Sequence, residues 1–269
     1  MEDTQLIEKC KELRKTIIKI ISDTKASHIG SMFSCLDITA YLYYNEMNFS
    51  KENYLSPDRD RFILSKGHAS LVIYSVLEDL GIISKDILFS YYKDGGKLIG
   101  HLDHNVPGVE VATGALGHGL AMAAGIALGN KLNKIDSKTY CLIGDGECQE
   151  GEIWESLMFI SEKDLKNLII IVDSNKLQGY DFCRDIFSPK KLIEMLKALE
   201  LNFYEIDGHN LLEIRDVFQK IKCQQNEKAH IIFANTIKGK GVSYMENKLE
   251  WHYKSPNEEQ LKQGLEELK

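Results

Sequence analysis

Two stretches, TYCLIGDGECQEG at residues 139–151 and LIIIVDSNKL at residues 168–177, carry the strongest structural signal in this chain. Each begins with a short apolar run, at residues 139–143 and 168–172, that is rich in β-branched side chains. Short runs of this kind, bounded by turn residues, predict strands buried on both faces of a parallel sheet. The polar residues after them then lie at the carboxyl ends of the strands, where open α/β sheets form their ligand crevice.

The remaining periodicities alternate between helix and strand without a linker, a repeat or a low-complexity segment. They predict further strands at residues 61–64, 202–206 and 229–236, a loop at 99–114, and helices at 6–22, 36–47, 69–80, 117–132, 153–163, 211–222 and 256–268. We therefore expect residues 1–269 to form one three-layer α/β/α domain, with a mostly parallel sheet and helices on both faces.

Asp145 and Asn175 predict a magnesium site at the sheet edge. Magnesium prefers oxygen ligands and usually completes its shell with water and substrate phosphate. One carboxylate from Asp145, one amide oxygen from Asn175 and the carbonyl of Leu177 meet that demand. Gly144 and Gly146 allow the backbone to approach phosphates closely. Gly-Asp-Gly is also ordinary turn chemistry, so the prediction depends on the strands and on Asn175, 29 positions after Gly146.

This spacing resembles the thiamine-diphosphate fingerprint, and five segments in order resemble the signatures of transketolases. They are SHIGSMFSCLDI from Ser27, DRFILSKGHAS from Asp60, PGVEVATGALGHGL from Pro107, GDGECQEGEIWES from Gly144, and TIKGKG from Thr236 with Trp251-His252. The resemblance spans nearly the whole chain. It implies the thiamine-diphosphate-binding fold, with thiamine diphosphate and Mg²⁺ as cofactors and transfer of a two-carbon ketol unit from a ketose phosphate, such as xylulose 5-phosphate, to an aldose acceptor.

The resemblance also assigns roles to four histidines. Imidazole exchanges protons readily near neutral pH, although most histidines serve only as hydrogen-bonding partners. His28, His101 and His252 match the family histidines that face the reacting sugar hydroxyls, and we expect them to be catalytic. His68 matches a histidine that contacts the diphosphate, and His252 is expected to contact the cofactor as well.

Other positions carry over as expected cofactor contacts or as an interface residue. The cofactor contacts are Ser31, Lys66, Gly114, Ala115, Leu116, Gly146, Asn175 and Lys238, while Glu150 resembles the carboxylate that joins two active sites through the subunit contact. Lys238 also fits a solvated loop charge, and Glu150 also fits a simple acid at a helix N-terminus.

Several neighbouring positions are less certain or depart from the family pattern. Ser27 and Tyr253 replace common glycines on the substrate side, which puts the sugar in doubt more than the cofactor. His118 fits loop packing and cofactor contact equally well. His209 is expected to be a turn residue, because Asn210 can cap the following helix.

Composition excludes several other classes of protein. The 269 residues are 43% hydrophobic and 27% charged, as in globular proteins, and a net charge of -7 argues against a nucleic-acid surface. No apolar stretch resembles a signal peptide or a membrane span. The six cysteines show no CxxC pair, so we expect reduced thiols in a cytoplasmic protein. A redox role for Cys148, beside the predicted metal turn, is the weaker alternative to a buried filler.

The family's activating carboxylate and sugar-phosphate grip lie in a pyrimidine-binding domain that this sequence does not show. We therefore expect an amino-terminal subunit of a split transketolase, active only with a partner chain in a two-plus-two assembly. Alternatives are a ketotransferase of specialised sugar biosynthesis, an enzyme similar to 1-deoxyxylulose-phosphate synthase, and a non-catalytic paralogue with a regulatory or scaffold role. The DRFILSKGHAS and Trp251-His252 signatures favour transketolase over the synthase.

Overall fold

The five predicted apolar runs form one parallel sheet in a computed structural model that describes residues 1–269. Its strand order is β1-β2-β3-β5-β4, and every neighbouring pair is parallel. The strands are β1 (Arg61–Leu64), β2 (Thr139–Gly144), β3 (Leu168–Ser174), β4 (Asn202–Asp207) and β5 (His230–Asn235). All residues of β3 are buried, as its continuous apolar sequence predicts.

Helices cover both faces of this sheet. They are α1 (Asp3–Thr24), α2 (Ile29–Tyr41), α3 (Ser70–Asp79), α4 (Lys85–Leu88), α5 (His118–Leu132), α6 (Gly151–Ser161), α7 (Cys183–Ile186), α8 (Pro189–Lys197), α9 (Leu211–Lys222) and α10 (Glu258–Glu267). None of them is both long and apolar enough to cross a membrane. The predicted three-layer α/β/α fold is confirmed.

Two hydrophobic cores separate the layers. Alternate strand residues supply them, because successive side chains of a strand point to opposite faces. Tyr140 and Leu142 of β2 join a core of 50 buried residues under α1, α2, α3 and α9. Cys141 and Ile143 join a second core of 21 buried residues under α5, α6 and α8.

The structure departs from the predicted elements mainly at α2 and α8. Helix α2 begins at Ile29, so the predicted start at residue 36 is wrong. All residues of its first turns are buried, which removes the polar face that marks a helix in sequence. A π-helical turn, Leu42–Glu46, continues α2. Helix α8 was not predicted, although Pro189 at its first turn is a recognised start signal.

The parallel arrangement brings the carboxyl ends of all five strands to the same edge. Lys66 follows β1, Asp145 follows β2, Asn175 follows β3 and Lys238 follows β5. The pairing of β2 with β3 places Gly144 opposite Asp173, so Asp145 and Asn175 leave adjacent strands at the same level. The fold thus gathers residues that are far apart in sequence.

Candidate active site

A cavity of about 360 Å³ opens at this carboxyl edge of the sheet. Most of the sequence-predicted site residues line it: His28, Ser31, Lys66, His68, His101, Gly114, Leu116, Asp145, Gly146, Glu150, Asn175, Leu177 and His252. Two of the predicted residues are absent from its wall. Ala115 is exposed beside the cavity, and Lys238 is fully buried behind it.

The three predicted metal ligands are buried together at the base of this cavity. The Asp145 carboxylate accepts the amide protons of Gly146 at 2.8 Å and Lys176 at 2.7 Å. The Asn175 amide oxygen accepts from the Leu177 amide at 3.1 Å. Asp145 and Asn175 are therefore linked by hydrogen bonds, because the Asp145 carboxylate accepts the amide proton of Lys176, the residue after Asn175.

Electrostatics favour a cation beside Asp145. Burial, with the nearby charge of Asp173, raises the pKa of Asp145 to about 6. A bound divalent cation would offset both effects by stabilising the ionised carboxylate. No cluster of three or more His, Cys, Asp or Glu side chains suited to a metal occurs in the chain. The predicted set has only one carboxylate and relies on neutral oxygens, which suits magnesium bound together with a diphosphate.

A buried ion pair between Lys66 and Asp173 lies behind the predicted ligands, and Asp173 was not predicted from the sequence. Asp173 also accepts a hydrogen bond from Ser34 at 2.6 Å and one from Thr236. Although burial opposes it, the charge of Lys66 lowers the pKa of Asp173 below its ordinary value. The Asn175 amide nitrogen donates to Asp173 at 3.4 Å. The same nitrogen donates to Ser34 at 3.3 Å, so Asp173 and Ser34 together orient the Asn175 amide.

Glu147 is a second site residue that was not predicted from the sequence. Its buried carboxylate accepts the amide protons of Gly117 at 2.8 Å and Gly144 at 3.0 Å, and the hydroxyl proton of Ser65. These bonds connect the start of α5 to the ends of β1 and β2. The sequence places a charged residue inside the turn segment GDGECQEG. A carboxylate that is buried in such a turn needs several hydrogen-bond donors, and the turn supplies them.

The four predicted histidines converge on one wall of the cavity. The ring of His28 lies 5.0 Å from those of His68 and His252 and 6.3 Å from that of His101, measured between centroids. Burial and the charges around them lower the pKa of His28 to about 4 and that of His252 to about 3. Burial likewise lowers the pKa of His68 well below its ordinary value. These three rings are therefore neutral at physiological pH.

Backbone geometry presents His28 and His101 to this wall. His28 has a φ of 73°, a left-handed conformation uncommon outside glycine, and its amide donates to the His252 carbonyl at 2.8 Å. Gly114 has a φ of 154°, and a β carbon there would lie 2.7 Å from the His101 ring. Only glycine lets the backbone at position 114 pass so close to the His101 ring.

Lys238 supports this wall from behind instead of lining it. Its Nζ donates to the Leu177 carbonyl at 3.1 Å, the Gln178 carbonyl at 3.2 Å and His252 Nδ1 at 2.8 Å. Burial, with repulsion from Lys66, lowers the pKa of Lys238 to about 8. A direct contact between Lys238 and a cofactor stays a prediction, as do the other assigned roles.

The expected turn at His209 is present, and Asn210 caps α9 by accepting the amide protons of Leu212 and Glu213. His209 is nevertheless more than a turn residue, because its ring is buried between Asp37 and the Ile237 amide. His118 is exposed at the start of α5 and lies 3.2 Å from Glu152. Glu150 is exposed on the cavity rim at the start of α6, with no capping bond from its side chain.

Comparison with known proteins agrees with this fold. A family model described as the thiamine diphosphate binding domain of transketolase matches residues 5–268. Fold and site together define a domain of the thiamine-diphosphate-binding class. The chain belongs to the transketolase family.

Relatives of similar length are named as subunits of transketolases. The chain is 38% identical over 267 residues to an apulose-4-phosphate transketolase subunit of Actinobacillus succinogenes, covering 98% of this chain and 96% of that protein. It is 35% identical over 257 residues to the 6-deoxy-6-sulfo-D-fructose transketolase subunit SqwG of a Clostridium species, covering 95% and 93%.

Longer transketolases match over only part of their length. The solved transketolase of Campylobacter jejuni superimposes with a TM-score of 0.92 at 30% identity, covering all of this chain and 43% of that chain. Human transketolase is 32% identical over 262 residues, which are 95% of this chain and 41% of that protein. The chain therefore corresponds to less than half of these transketolases.

Proposed function

We propose that this chain is the diphosphate-binding subunit of a two-chain transketolase that transfers a two-carbon ketol unit from a ketose phosphate to an aldose acceptor. The convergence of His28, His68, His101 and His252 above Asp145 is the observation that carries the proposal. Such a cavity offers both a cation site for a diphosphate and a wall of imidazoles for sugar hydroxyls.

Asp145, Asn175 and the Leu177 carbonyl would hold Mg²⁺, and the metal would hold the diphosphate. Leu177 has a carbonyl lone pair left for a metal, because a carbonyl oxygen carries two and Lys238 uses one. Gly114 and Leu116 would lie along the cofactor rings. When bound, thiamine diphosphate supplies the electron sink for cleaving the bond next to a ketose carbonyl.

The histidine wall would orient the sugar and move its protons. A neutral imidazole donates at one ring nitrogen and accepts at the other, so His28 can hold a sugar hydroxyl and take or return its proton. His101 and His252 would hold further hydroxyls beside it. Tyr253 adds an exposed ring at the mouth of the cavity, 4.7 Å from His252 between centroids. It stands where the sugar enters and so contributes to the choice of substrate.

A partner chain would complete the site. The exposed side of α5 and α6, which we call the α5–α6 face, carries Met122, Met158 and Phe159. Gly125 and Gly129 on α5 have no atoms within 4 Å of where a β carbon would stand, so another backbone can approach there. We infer a close contact with the pyrimidine-binding subunit or with a second copy of this chain, within an assembly of two copies of each.

Several sugars are candidates for the substrate pair. Xylulose 5-phosphate is the expected donor by family resemblance, whereas the relatives of similar length are named for apulose 4-phosphate and for a sulfonated fructose. A ketotransferase of specialised sugar metabolism is therefore a second candidate, with the same ketol transfer and a different sugar. The synthase-like alternative has no comparable support.

The test is co-expression with the gene for a pyrimidine-binding transketolase subunit from the same genome. Purified pair and purified single chains are assayed over a panel of ketose and aldose phosphates that includes the sugars named above. We expect ketol transfer from the pair and negligible transfer from either chain alone. Turnover by this chain alone would refute the two-chain proposal, and a pair that binds thiamine diphosphate but turns over no sugar would favour a non-catalytic role.

A further inference from the structure

A buried network on the outer side of the sheet edge joins α1, α2 and the turn after β4. Arg14 of α1 donates two hydrogen bonds of 2.8 Å to the Asp37 carboxylate of α2. His209 Nδ1 donates to the same carboxylate at 2.6 Å. Although burial opposes ionisation, Arg14 and His209 hold the pKa of Asp37 well below its ordinary value. Asp37 is therefore ionised at neutral pH, and it can only accept the hydrogen bond from His209.

The bond to Asp37 determines which ring nitrogen of His209 carries the proton. Because a carboxylate only accepts, Nδ1 must donate to it. Nε2 is then free to accept, and the Ile237 amide donates to it at 2.9 Å. One neutral tautomer satisfies both bonds, and His209 thus holds the backbone of the segment TIKGKG in place.

The segment held in this way carries Lys238. Gly30 of α2 accepts the Gly239 amide proton at 3.0 Å, and a β carbon on Gly30 would lie 2.9 Å from the Lys238 side chain. Backbone bonds on both sides of Lys238 therefore direct its side chain along α2. Its three ammonium protons meet two carbonyls and His252 Nδ1.

The contact with Lys238 decides the tautomer of His252. Because the ammonium group only donates, Nδ1 of His252 must accept, and the ring proton of the neutral imidazole lies on Nε2. That nitrogen lies 3.5 Å from where a β carbon of Gly179 would stand, on the cavity wall. His252 thus offers a donor to the cavity.

We propose that His209 is a positioning residue: by holding the Ile237 amide while bound to Asp37, it places Lys238 so that His252 presents Nε2–H to the cavity. His209 does not line the cavity and lies 43 positions before His252 in sequence. The consequence for turnover rests on the proposed function, whereas the tautomer of His252 is a property of this chain alone.

Two substitutions separate the two bonds of His209. Asn places its amide nitrogen near the position of Nδ1, which retains the bond to Asp37 but loses the bond to Ile237. Gln places its amide oxygen near the position of Nε2 and retains the bond to Ile237. His230 is a matched control, because its side chain is also buried, lies on β5, and has an unpartnered Nδ1. We therefore compare H209N, H209Q and H230N with the wild type.

The measurement is long-range proton–nitrogen correlation NMR of the full chain labelled with ¹⁵N-histidine, with His252 assigned from H252Q. We expect the Nε2–H tautomer of His252 in the wild type, H209Q and H230N, and its loss or mixing with the Nδ1–H form in H209N. An unchanged His252 tautomer in H209N, or a wild-type His252 protonated on Nδ1, would overturn the proposal.

Kinetics of the reconstituted pair give a second readout. Because misplaced catalytic groups cost up to about 100-fold in rate, H209N should lower kcat by about 10- to 100-fold. H209Q should restore most of this loss. A loss of kcat in H209Q as large as that in H209N would contradict the positioning role. Absence of ketol transfer in the wild-type pair would refute the proposed function, and the NMR result would still decide the proposal.

Discussion

At the scale of single residues, the site depends on buried charges that are paired. Lys66 and Asp173 have side-chain exposures of 3% and 1%, and each would cost several kcal/mol if left alone in the interior. Their pairing places a fixed cation and a fixed anion directly behind Asn175. Removing one partner leaves an uncompensated buried charge, so the loss should appear in stability before it appears in chemistry.

Substituting Lys66 by Met should lower the free energy of unfolding by about 3–5 kcal/mol. The matched control is Lys166→Met, because Lys166 pairs with Glu227 at 2.7 Å where both side chains are more than half exposed. That pair should contribute less than about 1 kcal/mol. Urea unfolding of the wild type and both variants measures the difference. Equal effects of the two substitutions would show that Lys66 and Asp173 are not a stabilising buried pair.

The sequence predicted much of the cavity wall but not the buried residues behind it that hold the wall in place. Asp145 and Asn175 follow recognisable strands, and the four histidines lie in segments that resemble the family signatures. The turn at His209 was predicted, but its contact with Asp37 was not, because that contact joins positions 172 residues apart. Asp173 was detectable in principle, since a charged residue that ends a fully buried strand must have a partner. Its partners Lys66 and Thr236 could not be identified without the sheet order.

At the scale of elements, α5 is an unusual surface helix. Its exposed side presents Gly125 and Gly129 with open space above them, together with the exposed Met122. Glycine weakens a helix by about 1 kcal/mol relative to alanine. Two open glycines in one helix therefore reduce the stability of the isolated chain, and close approach of another backbone is a reason to retain them.

Gly125→Leu tests this interpretation of α5. A β carbon at this position meets nothing within 4 Å in this chain, so the variant should fold and gain up to about 1 kcal/mol of stability. Overpacking of a contact costs about 1–3 kcal/mol, so association with the partner subunit should weaken by roughly tenfold or more. Lys262→Leu, on the opposite face of the sheet, is the control. Analytical ultracentrifugation measures both, and unchanged association of the Gly125 variant would place the contact elsewhere.

Strands were easier to predict than helices in this chain, for a physical reason. Four of the five strands contain a short apolar run, and Leu211–Lys222 was predicted to the residue because Asn210 caps an amphipathic helix. Helix α2 has no exposed face, and Gly30 and Ser31 are poor helix formers in its first turn. Packing against α1 and α3 forms that helix, and packing cannot be read from local sequence.

At the scale of the whole molecule, the Arg14–Asp37–His209 network ties together three separate segments of the chain. Because the pKa of Asp37 is depressed in the folded state, its contribution to stability is present above its unfolded value of about 3.9 and is lost as pH falls through the folded value. The network therefore makes the fold sensitive to acid below about pH 4.

Asp37→Asn should reveal this contribution. At pH 7 the free energy of unfolding of the variant should be about 3–5 kcal/mol lower than that of the wild type, because Arg14 becomes an unpaired buried charge. The difference from the wild type should shrink as pH falls below about 4, because Asp37 of the unfolded wild-type chain then takes up a proton while the native carboxylate stays ionised. Denaturant unfolding from pH 7 to 3 measures both proteins. A difference that stays constant over this range would show that ionised Asp37 does not carry the effect.

The most direct test of the central claim is calorimetric titration of thiamine diphosphate into the assembled pair of subunits, with Mg²⁺ and with a chelator. Asp145→Asn is compared with the wild type and with the control Asp185→Asn, which alters an exposed carboxylate. We expect binding that requires Mg²⁺, persists in the Asp185 variant and weakens by at least about tenfold in the Asp145 variant. Binding that is unchanged by the chelator or by Asp145→Asn would contradict the proposed metal site.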